Sequence, residues 1–299
     1  MLTICIPVYN YNICKLADDL SRQALESKTE IEILVIDDGS DQQYNNQWPS
    51  GSEIGIIRLE KNVGRARVRN LFHQYARFEN LLFLDCDSEI IDARFLKKYF
   101  SSIHQGDPVV CGGRVYSNTN PGRNKMLHWK YGMKKESKPA EIRNIHSERS
   151  FMTNNFLIRK NIFQKIVFNE TLEGYGHEDT LFGFQLHKAG IPIRHIDNPV
   201  LHASLATNQE FLQKTRSAIN NLIIILSIVN NDPEFVQGVP LLCTFFSLKK
   251  SGFYKSFYFL SKPLISITSF LLRNGFVSIW LFDLFKISLF VSLYTNDKR

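Results

Sequence analysis

The 299-residue sequence predicts an α/β fold: a mainly parallel central sheet flanked by helices, followed by an apolar, helical C-terminal extension. Three observations predict it. From Leu2 to Val115, short β-branched runs alternate with helix-length amphipathic segments, the pattern of a parallel sheet with covering helices. Several of those runs end in polar or turn-forming residues, and open α/β sheets bind ligands beyond the carboxyl ends of their strands. After Asp232-Pro233 the composition shifts to long apolar and aromatic segments.

The strand runs are Leu2 to Val8, Ile31 to Asp37, Ile54 to Arg58, Leu81 to Asp85 and Val109 to Val115. Between them, apolar residues recurring at three or four positions predict helices over Cys14 to Glu26, Gly64 to Arg77 and Ala93 to His104. Asn118 to Ser150 is polar and basic with little periodicity, and reads as a long mobile connection. Order returns at Phe151 to Arg159. Helices follow over Glu178 to Ala189, after the Gly174-Tyr175-Gly176 turn, and over Asn208 to Asn230. The expected division is an α/β domain over 1–207, which would carry the functional site, and a helical extension over 208–299.

Composition narrows the function classes. A hydrophobic content of 44% suits a packed core and excludes a disordered chain. The net charge of +7 favours an anionic partner, but the basic residues are dispersed and no nucleic-acid footprint is expected. Five cysteines, scattered and without CxxC or Cys/His zinc spacing, fit a reducing compartment. The N-terminal run lacks the basic leader of a secretory signal, so the cytoplasm is the expected location. No glycine-rich phosphate loop follows Val8, which disfavours dinucleotide-binding oxidoreductases and nucleotidyltransferases.

Several groups of residues carry candidate chemistry. Asp85 and Asp87 end an apolar run, and in an extended conformation both carboxylates project from one face. They read either as a divalent-cation site, with hard oxygen ligands for a metal bridging a diphosphate, or as a solvated turn. Asp37 and Asp38 also follow a buried-type strand, as acceptors for a ribose or base N–H or as part of an ordinary Asp-Gly turn. Arg65 and Arg69 share a helix face just after Asn62-Val63-Gly64, facing phosphate or solvent. Glu178 and Asp179 open a helix, where each is either a cap favoured by the dipole or a general base for an acceptor hydroxyl. His202 follows an apolar pair and reads as a core residue or a metal ligand.

Order and spacing together are more specific than any one piece. Ile4 to Asn10, Val35 to Ser40, Asn62 through Asn70, Phe83 to Asp87, Thr153 to Asn155, Gly174 to Asp179 and Pro199 to His202 resemble, in sequence, the family 2 glycosyltransferases of the GT-A fold across the first two thirds of the chain. The resemblance implies a nucleotide pocket of Pro7, Tyr9, Asp37, Asp38, Asn62, Arg65, Arg69 and Asp85. It implies a divalent metal, Mn2+ or Mg2+, on Asp87 and His202 with Asp85 at the ribose or the metal. Asp179 resembles the catalytic base, with Glu178 beside it. The implied reaction is an inverting single displacement from a nucleotide-diphosphate sugar, UDP-sugar favoured, to a glycan or lipid-linked acceptor. The alternative is a noncatalytic sugar-nucleotide-binding or scaffold protein.

The resemblance fades in the C-terminal third. Phe253 to Leu272 and Phe276 to Tyr294 are broken by Lys255, Lys262, Asp283 and Lys286. Three readings stand: helices packed on the domain, amphipathic segments on the inner face of a membrane, or a true span. Aromatics interleaved with lysines suit peripheral contact with anionic lipid.

Overall fold

The computed structural model describes residues 1–27, 29–44 and 54–297. Its strands are β1 (Leu2–Val8), β2 (Ile31–Asp37), β3 (Ile54–Arg58), β4 (Asn80–Leu84), β5 (Ser88–Ile90), β6 (Val109–Cys111), β7 (Arg114–Val115), β8 (Asn155–Arg159), β9 (Ile193–His195) and β10 (Val200–His202). The helices are α1 (Cys14–Leu25), α2 (Arg65–Tyr75), α3 (Phe95–His104), α4 (Met126–Tyr131), α5 (Ala140–Ile145), α6 (Lys160–Phe163), α7 (Glu178–Lys188), α8 (Asn208–Ile228), α9 (Pro233–Gly238), α10 (Pro240–Lys250), α11 (Tyr254–Arg273) and α12 (Ile279–Asp297).

Seven strands form the main sheet in the order β3-β2-β1-β4-β8-β6-β9. It is parallel except at β8, which runs antiparallel to β4 and β6. The mainly parallel sheet predicted from the buried runs is therefore present, because strands apolar on both faces need helices on both sides. Leu2, Ile4, Ile6 and Val8 pack with Leu16 and Leu20 of α1 and Phe95, Leu96 and Tyr99 of α3. On the other face Leu34, Ile36 and Phe83 meet Phe72 of α2 and Phe182 and Leu186 of α7. Alternation along each strand decides which residue goes to which layer.

The chain divides into two compact units. The first comprises Met1–Ser117, Lys135–Thr171 and Asp179–Ser204; the second comprises Asn118–Lys134, Leu172–Glu178 and Leu205–Arg299. In the second unit α8 starts at a reciprocal cap: Glu210 N–H donates to Thr207 Oγ1 at 3.2 Å and Thr207 N–H to Glu210 Oε2 at 2.8 Å. Among the described residues no helix is long and apolar enough to cross a membrane.

Two expectations need correction. Val109 to Val115 is not one strand: β6 ends at Cys111, and β7 belongs to a separate three-stranded sheet of order β5-β10-β7. The break is at Gly112 and Gly113. A Cβ on Gly112 would come within 2.5 Å of the Tyr99 hydroxyl and the Asn198 carbonyl, and Gly113 has φ +89°. Nor is Asn118 to Ser150 a mobile connection, since it holds α4, a π-helical turn over Gly132–Glu136 and α5. Its anchors escape a search for apolar periodicity because one of them is an arginine. Buried Arg143 donates to the carbonyls of Cys111 (3.2 Å), Gly112 (3.1 Å) and Ile196 (2.8 Å), which ties α5 to the sheet edge.

Candidate active site

β1, β2 and β4 are parallel neighbours, so the loops leaving their carboxyl ends meet. Asp38 N–H donates to the Val8 carbonyl at 2.8 Å, and Asn10 N–H to Ser40 Oγ at 2.8 Å. Asp37 is fully buried, accepting from Arg58 Nε and Ser40 N–H, both at 3.0 Å. Asp38 accepts the N–H of Val63 at 2.6 Å and of Gly64 at 3.1 Å. Burial raises the Asp38 carboxyl, and those two backbone N–H groups oppose the rise. Both carboxylates thus lock loops together. Gly39 (φ +71°) lies so close beneath Lys61 and Asn62 that a Cβ would fall 2.6 Å from the Lys61 carbonyl carbon. Tyr9, Asn62 and Arg65 stand exposed on the rim, and Pro7 is half-buried beside them in sequence.

The Asp85-Cys86-Asp87 segment is not extended. β4 ends at Leu84, and Ser88 N–H donates back to the Asp85 carbonyl at 3.1 Å, closing a turn before β5. The two carboxylates therefore do not share a strand face, and they take different partners. Asp85 Oδ1 accepts from Arg69 Nη2 at 2.6 Å, with Arg114 3.9 Å from Oδ2. Asp87 Oδ2 lies 3.4 Å from His202 Nδ1. Burial alone would raise the Asp85 carboxyl, but the guanidinium groups of Arg69, Arg65 and Arg114 outweigh it and hold the value at about 2. The Cys86 thiol goes the other way, pushed up to about 12 by burial and the flanking carboxylates. Among the described residues no three His, Cys, Asp or Glu side chains gather at metal-holding spacing.

His202 reaches Asp87 because of the small sheet. β10 pairs antiparallel with β5, setting His202 opposite Ser88, and Ala203 N–H donates to the Asp87 carbonyl at 3.0 Å. β7, on the other side of β10, delivers Arg114. Arg114 Nη1 donates to Glu136 Oε2 at 3.1 Å, the Tyr116 hydroxyl donates to the same oxygen, and the Tyr116 ring lies edge-on to His202 at 5.3 Å. Arg114, Tyr116 and Glu136 escaped the sequence reading. Arg114 interrupting an apolar run was the one signal present.

Glu178 and Asp179 open α7, where carboxylates are favoured by the helix dipole. Glu178 Oε2 accepts the Gly176 N–H at 2.9 Å, and Asp179 Oδ1 the Thr180 N–H at 2.7 Å. His177 before them has φ +66°, a costly conformation for a side-chain-bearing residue. Its imidazole is pressed down to about 4 by burial, with Glu178 opposing and Lys286 assisting. Within the second unit the turn is held by Asn221 Nδ2, which donates to the Glu173 and Gly176 carbonyls at 3.0 Å each.

Known proteins resemble this chain in sequence and in fold. The family model for glycosyl transferase family 2 matches residues 3–167. An uncharacterized glycosyltransferase of Haemophilus influenzae (strain ATCC 51907 / DSM 11121 / KW20 / Rd) is 26% identical over 174 residues, covering 56% of this chain and 55% of the relative. The chain thus spans about half that relative's length. The crystal structure of S. aureus TarS superposes with TM-score 0.55 at 19% identity, covering 99% of this chain and 55% of TarS. TarS 1-349 in complex with UDP-GlcNAc gives 0.53 at 19%, covering 99% and 91%. At that identity the likeness is one of fold. Since the family model spans more than half of its length, the chain belongs to glycosyl transferase family 2.

Proposed function

We propose that the chain is a metal-dependent, inverting glycosyltransferase that moves a sugar from a nucleotide-diphosphate donor to a hydroxyl of a glycan or lipid-linked acceptor, at the cytoplasmic face of a membrane. The observation that carries this is the Asp87–His202 pair, assembled from distant parts of the chain beside the loops of β1, β2 and β4. TarS 1-349, of the same fold, has been crystallised with UDP-GlcNAc, which favours a UDP-sugar here.

The residues fit a divalent metal by their donor chemistry. A carboxylate with an imidazole suits Mn2+ better than Mg2+, which prefers oxygen ligands throughout, and two protein ligands would leave room for donor oxygens and water. Asp87 and His202 would hold the ion, which supplies positive charge against the departing diphosphate. Asp85, paired with Arg69, serves the nucleotide side instead. Arg65, exposed at the start of α2, supplies a further cation for phosphate, and Tyr9, exposed after β1, a face for the base. Asp179 takes the proton of the acceptor hydroxyl as it attacks, and Glu178, tied to the Gly176 N–H, holds that turn in place.

Thermal unfolding with UDP, GDP, CDP and dTDP, each with manganese or chelator, tests the reading. UDP with manganese is expected to stabilise the protein, and Asp87→Ala and His202→Ala to lose that response. Asp179→Asn should keep it while abolishing sugar release from the donor. Indifference of the folded parent to every nucleotide would sink the proposal.

A further inference from the structure

α11 fully buries little of its apolar surface. Its buried residues are Ser261, Thr268 and Leu272, with Phe257, Leu264, Ile265 and Leu271 half-buried. The two hydroxyls are satisfied within the helix, Ser261 by the Tyr258 carbonyl at 2.7 Å and Thr268 by the Leu264 carbonyl at 2.6 Å. The apolar mass of this region belongs to α12, which buries Phe282, Phe285, Leu289, Phe290 and Val291. Outward, α11 turns Phe259, Leu260, Pro263, Ile267 and Phe270, which fall within a sector of about 100° at 3.6 residues per turn. Phe259 is 76% exposed and Phe270 65% exposed. Phe253, the residue before α11, and Trp280, in the first turn of α12, are exposed as well. A contiguous apolar stripe of this kind marks an interaction face.

The charge around the stripe identifies what it meets. Lys255, Lys262 and Arg273 are exposed and follow one edge of the sector, two and then three turns apart. α11 contains no acidic residue, and α10 ends in Lys249-Lys250. We propose that this stripe docks on the surface of an anionic lipid bilayer, with α11 lying in the headgroup plane. Apolar side chains enter the acyl boundary while the basic edge meets lipid phosphates, and aromatic residues favour that depth. Pairing with a second copy is disfavoured, because a twofold contact between all-basic rims brings like charges together. The chain lies on such a surface without crossing it: no described helix is long and apolar enough to span.

The inference rests on the membrane-face part of the proposed function, but none of these residues belongs to the proposed donor site, so it can fail while the transferase reading stands, and the reverse. The test is flotation of the full chain with vesicles of phosphatidylcholine alone or mixed with phosphatidylglycerol, at low and high salt. The parent is expected to float with the anionic vesicles only, and less at high salt. Phe259→Glu with Phe270→Glu should lower binding at least about tenfold while the thermal midpoint and the nucleotide response stay at parental values. Lys255→Glu with Lys262→Glu provides a second, independent variant with the same expectation. A parent that does not float, or variants that fold and float like it, would overturn the inference. So would a parent that is a dimer by light scattering and is split by the phenylalanine variant.

Discussion

Arg69→Met removes the strongest counter-charge of a buried carboxylate. Arg69 is 2% exposed and its guanidinium sits 2.6 Å from Asp85. With the pair intact, the Asp85 carboxyl lies at about 2 against an ordinary 3.8. That displacement contributes about 2 kcal/mol at neutral pH. Because the folded value is depressed, the contribution is present above pH 3.8 and lost as pH falls through about 2. In the variant, burial is opposed only by Arg65 and by Arg114 at 3.9 Å. A buried charge stripped of its partner costs about 3–5 kcal/mol, more than the pair contributed, since the desolvation of Asp85 is no longer offset. Urea denaturation at pH 7 should show that loss, and adding Asp85→Asn to the variant should recover half of it or more. A loss below about 1 kcal/mol, the range of exposed ion pairs, or no recovery in the double variant, would refute the account.

Two further outcomes are expected. His195 is buried, and since arginine can only donate, Arg143 Nη1 gives its hydrogen to Nδ1 at 2.7 Å, while Nε2 donates to the Ser147 carbonyl at 2.9 Å. Burial, with Arg143, lowers its pKa from 6.5 to about 4 against that carbonyl's pull, so the unfolded chain takes the proton first. Stability is complete above pH 6.5 and falls by about 3 kcal/mol toward pH 4, a slope that His195→Gln should flatten; equal slopes in both proteins count against it. Gly39→Ala sets a Cβ 2.6 Å from Lys61 backbone at φ +71° and should cost at least about 2 kcal/mol by denaturant midpoint and weaken the UDP response. An unchanged midpoint would mean that the loops after β2 and β3 are not interlocked there.

Much of the first unit was legible because burial on both faces leaves uninterrupted apolar runs, and the polar residues ending β1, β2 and β4 then stand out. Helix α2 was legible from three- and four-residue spacing after Gly64, and helix α7 from the Gly174-Tyr175-Gly176 turn that precedes it. The Asn118 to Ser150 stretch was not, since its order rests on the carbonyls gathered by Arg143, and a buried arginine has the same signature in sequence as a solvated one. The same ambiguity hid the split of Asp85 and Asp87. Alternation applies only while a strand continues, and nothing local shows that β4 ends one residue before the first carboxylate.

By itself, then, the sequence determined the layer architecture, the family and the set of polar residues at the strand ends, all of which depend on local periodicity and motif order. Tertiary structure alone decided which of them become partners. His202 meets Asp87 because β10 lies antiparallel to β5, Asp85 is neutralised by Arg69 and Arg114, and α11 leaves Phe259 and Phe270 exposed while α12 buries Phe282, Phe285 and Phe290. The physical reason is common to all three: hydrophobic burial repeats along the chain, whereas the pairing of charges and the choice of which apolar face is covered depend on segments distant in sequence.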